Sequence, residues 1–203
     1  EAGMDRYAVL VYRGQELTDA EQLAFTLHFG QIEQKGRGSG KGNIHFRTAE
    51  EKRSLTPGIG DFSNLDDTGK PLAQNSRAHH FKLAERLWHS DSSFRPIPAK
   101  YSLLSGRAVP SWGGNTEFAD MRAAYDALDD RTKGEVEDLV CHHSQIYSRE
   151  AVGFGQMDAA EREGFKPVRQ RLVRTHPVTG RKSLFLSAHA GLIEGWSIPE
   201  SRM

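Results

Sequence analysis

The sequence predicts a mainly β core, sandwich-like or barrel-like, with helices inserted between short strands. Three observations carry that expectation. Strand-forming runs are short and bounded by turn residues, as in Tyr-Ala-Val-Leu-Val-Tyr at 7–12 before Arg13-Gly14. A hairpin is written around Pro177-Val178-Thr179-Gly180, with glycine at the tight position. Helical spacing is confined to brief stretches, without the regular strand and helix alternation of a parallel sheet.

The elements follow in order. Residues 7–12 read as a buried strand. A helix is expected over 18–29, because Thr18 and Glu21 form a capping box, Leu23, Ala24 and Leu27 keep helical spacing, and Gly30 suits a left-handed end. Residues 33–60 hold six glycines with no sustained periodicity and read as a long loop, a candidate lid. Asn64-Leu65-Asp66-Asp67-Thr68-Gly69-Lys70 reads as a hairpin tip, and the charged stretch 76–85 as a second candidate lid. Downstream, 101–105 reads as a strand, Gly113-Gly114 as a turn, and 120–128 and 130–140 as helices. Strands 171–175 and 182–186 flank the hairpin turn. The segment 197–203 reads as the opening of a helix, with Pro199 in its first turn.

Composition bounds the function. At 203 residues, 37% apolar and 27% charged, the chain is long enough for one globular domain over 1–203. Lys plus Arg equals Asp plus Glu at 27 each, so no basic field draws it to nucleic acid or to an anionic membrane. No apolar run approaches the roughly 20 residues of a membrane span, and the single Cys141 has no internal disulfide partner. A cytoplasmic protein acting on a small molecule, with a possible homo-oligomeric state, is the expectation. The start at Glu1 and the interrupted helix at 197–203 read as cut ends of a longer chain.

His89-Ser90-Asp91 is the sharpest chemical feature. Side chains at i and i+2 of an extended segment share a face, so this imidazole and carboxylate could hold one metal ion. With a second histidine from elsewhere, they would make the facial triad of a non-haem iron oxygenase, which leaves open positions for cosubstrate and oxygen. The triplet alone is a weak signal, more often a histidine and an aspartate at a strand end with no metal.

Its context is more specific: Leu87-Trp88-His89-Ser90-Asp91-Ser92-Ser93-Phe94, Pro98-Ala99-Lys100-Tyr101-Ser102, Trp112-Gly113-Gly114-Asn115-Thr116-Glu117-Phe118, the run from Phe118 to Leu128, and Arg174-Thr175-His176-Pro177 with Gly180-Arg181-Lys182. These motifs resemble the taurine dioxygenase superfamily, on its 2,4-dichlorophenoxyacetate dioxygenase branch, over nearly the whole chain outside 33–60. The resemblance implies a double-stranded β-helix, or jelly roll, with peripheral helices. It implies His89 and Asp91 as Fe(II) ligands and Thr116 as a hydroxyl that helps hold the carboxylate of 2-oxoglutarate. With O2, such an enzyme hydroxylates the carbon beside the ether oxygen of an aryloxyacetate and releases a phenol, glyoxylate, succinate and CO2.

The family pattern also calls for a second metal histidine and an arginine for the far carboxylate of 2-oxoglutarate, and this sequence reaches neither. His142, His143, His176 and His189 lie downstream but read as structural. For the substrate, an aryl carboxylate needs a cation and apolar walls. Lys70 matches a lysine near the site mouth in the relatives, or is a solvated hairpin-tip residue. Ser92 faces substrate or bonds to backbone. Rival readings are the same chemistry on another carboxylate or a sulfonate, and a noncatalytic binding protein on this fold.

Overall fold

The computed structural model describes residues 1–33, 58–60, 62–66, 68–155 and 157–202, so most of the expected loop at 33–60 lies outside the described residues. Strand β1 (Val140–His143) is central to a three-stranded antiparallel sheet, flanked by β2 (Val168–Arg171) and β5 (Ala190–Ile193). Cys141 sits opposite Gln170 on one side and Ile193 on the other. Alternation decides the faces: Cys141 and His143 turn inward and His142 outward. The β1–β5 register shifts between His142 and His143, which brings His143 opposite Ala190.

The expected hairpin is present as β3 (Val173–Thr175) paired with β4 (Lys182–Leu184), Val173 opposite Leu184. Gly180 takes a φ of 68° at its turn, a conformation that favours a residue without Cβ. The strand expected at 171–175 is divided between two sheets at Leu172. Its N–H donates to the Leu139 carbonyl at 3.0 Å, and its carbonyl accepts from Phe185 at 2.7 Å. Leu172 is therefore a buried corner whose backbone serves both sheets.

Two apolar clusters anchor these sheets. Tyr125, Val173 and Leu184 pack with Met121, Ala124, Leu128 and Val136 from the helices α4 (Met121–Asp126) and α5 (Asp130–Val136) and the turn between them. Asp120 caps α4 through bonds to the N–H groups of Arg122 and Ala123. The second cluster is Ile146, Phe154 and Met157, with Phe81, Val152 and Phe165 around it. It joins α3 (Arg77–Leu83), α6 (Gln145–Ala151) and α7 (Ala159–Gly164).

Helix α2 (Asp19–Leu27) carries the expected Thr18 and Glu21 capping box, and the terminal helix α8 (Ile198–Ser201) opens with Ser197 and Glu200 in the same arrangement. Other expectations need correcting. Residues 7–12 are not a strand: α1 (Ala2–Tyr7) covers the start, ends on Ala8 at φ 61°, and the rest pairs with nothing among the described residues. Residues 101–105 also lack a ladder, and Gln22 Nε2 reaches the Leu103 carbonyl at 3.4 Å. Apolar composition marks a segment that can pair, but a strand exists only where a second edge meets it. The stretch 76–85 is not a free lid but a helix capped by Ser76, with Phe81 packed edge-on against Phe154 at 5.4 Å. The helix expected over 130–140 ends at Val136, because Val140 is recruited into β1.

Among the described residues the strands form two small sheets rather than a closed barrel. No helix among them is long and apolar enough to cross a membrane.

Candidate metal centre

The segment carrying His89 leaves a short 3-10 helix (Ala84–Arg86), runs extended through Ser90 and then turns at 91–94. Ala188 N–H donates to the Trp88 carbonyl at 2.8 Å, which ties this segment to the approach to β5. Ser92 sets the turn with a φ of 56°, unusual for a residue with a side chain. Its hydroxyl donates to Glu33 at 2.9 Å and its carbonyl accepts from Arg95 at 2.9 Å.

His89 Nδ1 lies 2.7 Å from the Leu87 carbonyl, so Nδ1 carries a proton and donates it. That leaves Nε2 as the free nitrogen, 3.3 Å from Asp91 Oδ1. Without a proton on it, that nitrogen and the carboxylate would present lone pairs to each other. Each group consequently favours the other's charged form. The bond to Asp91 raises the His89 pKa against the opposing effect of burial, and the Leu87 carbonyl adds to the rise. Asp91 is held below the usual carboxylate range by His89, with burial opposing and the Ser102 hydroxyl assisting.

This donor set fits a divalent cation. Two ligand atoms about 2.1 Å from one ion and at right angles stand about 3 Å apart, close to the observed separation. The carbonyl behind Nδ1 is the kind of outer partner that fixes a ligating imidazole. Both side chains keep a solvent path, at 28% and 59% exposed. No group of three or more such side chains gathers among the described residues.

The structure places His189 near the pair and adds Ser148 and Arg149, which the sequence does not single out. The His189 ring lies 5.6 Å from the His89 ring and 5.0 Å edge-on from Phe94. His189 is 3% exposed, and its Nδ1 is 3.0 Å from Ser148 Oγ. Burial pushes its pKa down to about 3, helped by the nearby Arg149 guanidinium. Arg149 is itself buried, its guanidinium stacked 4.4 Å from the Phe81 ring and its Nη2 3.4 Å from Glu85. Nothing in the sequence links Ser148 to His189, or His189 to His89, since neither contact is local in the chain. His189 reads from the sequence as structural; that its ring lies near that of His89 depends on the chain folding back ahead of β5.

The remaining expected residues are dispersed. Thr116 is exposed in an irregular segment after Gly113 and Gly114, whose φ values are 72° and 71°, and it makes no hydrogen bond to His89 or Asp91. Lys70 is exposed at the hairpin tip, where Asp66 Oδ1 accepts from the N–H groups of Thr68 and Lys70 at 2.8 and 3.0 Å. His142 and His176 lie away from the pair: His142 Nε2 is 2.8 Å from Glu194, and His176 Nε2 is 3.7 Å from Asp5. His143 is fully buried, stacked at 5.3 Å on Phe185.

The family model described as "Taurine catabolism dioxygenase TauD, TfdA family" matches residues 1–203. The chain belongs to that family. Its fold is accordingly the jelly roll of the 2-oxoglutarate dioxygenases. The chain is 41% identical, over its full length and 66% of the relative's, to an alpha-ketoglutarate-dependent 2,4-dichlorophenoxyacetate dioxygenase of Burkholderia sp. (strain RASC). It is 39% identical, over 99% of its length and 65% of the relative's, to an (S)-phenoxypropionate/alpha-ketoglutarate-dioxygenase of Sphingobium herbicidovorans. A crystal structure of AAD-2 in complex with Mn(II) and N-oxalylglycine is 58% identical and superimposes with a TM-score of 0.88, over 99% of this chain and 67% of that one. The TauD/TfdA chain described here thus spans about two thirds of the length of these relatives.

Proposed function

We propose that the whole protein is an Fe(II)- and 2-oxoglutarate-dependent dioxygenase that hydroxylates the carbon beside the ether oxygen of an aryloxyacetate. The observation that carries this reading is the His89 and Asp91 pair, with Nε2 freed by the Leu87 carbonyl and 3.3 Å from the carboxylate. The named activities of the relatives and the Mn(II) and N-oxalylglycine complex of AAD-2 support it. N-oxalylglycine has the two carboxylates and the keto-like oxygen of 2-oxoglutarate.

When bound, the metal and 2-oxoglutarate supply the oxidising chemistry with O2; the protein supplies geometry. His89 and Asp91 would hold two adjacent positions on one side of the ion and leave others open. Thr116 would donate its hydroxyl to the carboxylate of 2-oxoglutarate, which requires its loop to reach the pair. Lys70 would steer the substrate carboxylate, and Ser92 would stand beside it, while Phe94 offers an apolar edge to the ring. The hydroxylated product is a hemiacetal, which collapses to a phenol and glyoxylate; 2-oxoglutarate leaves as succinate and CO2. The substrate is a small aryl carboxylate. A reducing cytoplasm suits the buried free thiol of Cys141.

The test is anaerobic titration of the full-length protein with Fe(II) and 2-oxoglutarate, following the visible charge-transfer band. O2 is then admitted with and without 2,4-dichlorophenoxyacetate. A band that shifts with the aryl acid, is absent in His89→Ala, and precedes equal yields of phenol and succinate is the expected result. A band with succinate but no phenol would move the proposal to another acid; no band at all would overturn it.

A further inference from the structure

Ser148 Oγ is the meeting point of three polar neighbours from α6 and the turn before β5. Arg149 Nη1 donates to it at 2.9 Å, the Gln145 carbonyl stands 3.0 Å away, and His189 Nδ1 stands 3.0 Å away. A hydroxyl has one hydrogen and two acceptor positions. A guanidinium can only donate, and a carbonyl can only accept. The hydroxyl hydrogen therefore goes to Gln145, one acceptor position goes to Arg149, and the remaining one can be filled only if His189 Nδ1 brings a hydrogen. All three bonds form together in one tautomer alone.

We propose that Ser148 is a positioning residue that, with its hydrogen held by the Gln145 carbonyl, locks His189 as the Nδ1–H tautomer, so that Nε2 of this ring near His89 is an unprotonated, hydrogen-bond-accepting nitrogen. The enclosure gives the arrangement its force. Ser148, Arg149 and His189 are 0%, 2% and 3% exposed, so no bulk water replaces a lost bond, and an unmade bond there carries the full desolvation penalty. Were the hydroxyl to turn toward His189 instead, its bond to Gln145 would be lost and nothing gained.

The consequence concerns what the site can recognise. With the His189 ring 5.6 Å from that of His89, any bond its Nε2 makes to a molecule in the site is made as an acceptor. It is matched to a water or a hydroxyl group, and mismatched to a carboxylate oxygen. The carboxylate of an aryl acid must then find its donor elsewhere, which leaves the open side of the site, where Lys70 is proposed, to supply the cation. Only this consequence rests on the dioxygenase reading; the tautomer does not.

Long-range proton–nitrogen NMR of full-length protein labelled with 15N-histidine tests the proposal, with His189 assigned by comparison with His189→Gln. The metal-free protein is measured first and the Zn(II)-loaded protein second, both diamagnetic. The expected wild-type spectrum shows Nδ1 with the shift of a protonated nitrogen and Nε2 with that of a lone-pair nitrogen. Ser148→Thr retains the pattern, because it keeps the hydroxyl. Ser148→Ala loses it and populates the Nε2–H form. Should that variant fail to fold, Ser148→Val answers the same question, since it matches Ser148→Thr in shape and lacks only the hydroxyl. A wild-type Nε2–H spectrum would overturn the proposal. So would an Nδ1–H pattern unchanged in the variants that lack the hydroxyl. Because the metal-free spectrum reads the tautomer alone, a failed tautomer and a failed dioxygenase activity remain separate results.

Discussion

Gly191 on β5 lies so close against the Tyr147 ring of α6 that a Cβ built there would overlap the ring's Cγ and Cδ atoms. The backbone at Gly191 is not in the left-handed region, so the need for glycine is one of space. Gly191→Ala should cost about 1 to 3 kcal/mol of stability, by forcing the aromatic ring or the strand aside. Denaturant midpoints would show it. Adding Tyr147→Ala should recover most of that cost, and a double mutant no better than the sum of the two singles would refute the contact.

Arg77 and Glu161 tie α3 to α7, with Arg77 Nη2 at 2.9 and 2.7 Å from the two carboxylate oxygens. Glu161 is 8% exposed and also completes the capping box with Asp158, so its charge is held in place from two sides. Glu161→Gln should lower stability by about 1.5 to 3 kcal/mol, the usual weight of a hydrogen bond to a charged group. The loss should change little when salt is raised, since the pair is mostly shielded from solvent.

His143 gives the protein a built-in sensitivity to acid. Burial pushes its pKa down to about 4, with Arg174 and His142 adding to the effect and the Phe185 backbone opposing it. Both ring nitrogens lack a hydrogen-bond partner among the described residues. Above pH 6.5 the ring is neutral in both folded and unfolded chains and has no pH effect. As pH falls below 6.5 the unfolded chain takes up a proton that the folded chain refuses, and stability is lost until about pH 4, where the folded ring also protonates. The full span amounts to up to about 3 kcal/mol. His143→Phe, which keeps the stack on Phe185, should flatten the dependence of the unfolding midpoint between pH 6.5 and 4. A profile as steep as wild type would assign the acid sensitivity to other groups.

Asp91→Asn keeps the size of the second ligand and removes its charge. Losing even an outer partner of a metal ligand weakens binding by about 10- to 100-fold, so removing this ligand's charge should weaken Mn(II) binding by more than about 100-fold. Spin-resonance titration of free Mn(II) against the full-length protein measures this without turnover. Retained affinity would place the metal elsewhere.

The sequence by itself determined the local features. The Thr18 and Glu21 capping box, the turn at Gly180 and the proximity of His89 to Asp91 each depend on residues within a few positions, where side-chain chemistry and backbone geometry act directly. The match to the TauD/TfdA family was legible for the same reason, because its motifs are continuous runs. The tertiary structure decided everything that depends on what meets what. Whether residues 7–12 form a strand depends on a partner edge, the division of 171–175 at Leu172 depends on two sheets meeting there, and His189 gains its place because β5 returns beside residue 89. The tautomer inferred for that ring depends on Ser148 and the Gln145 carbonyl, about forty positions away in the chain. Long-range contacts are chosen by the packing of the whole core, and no short run of residues contains that information.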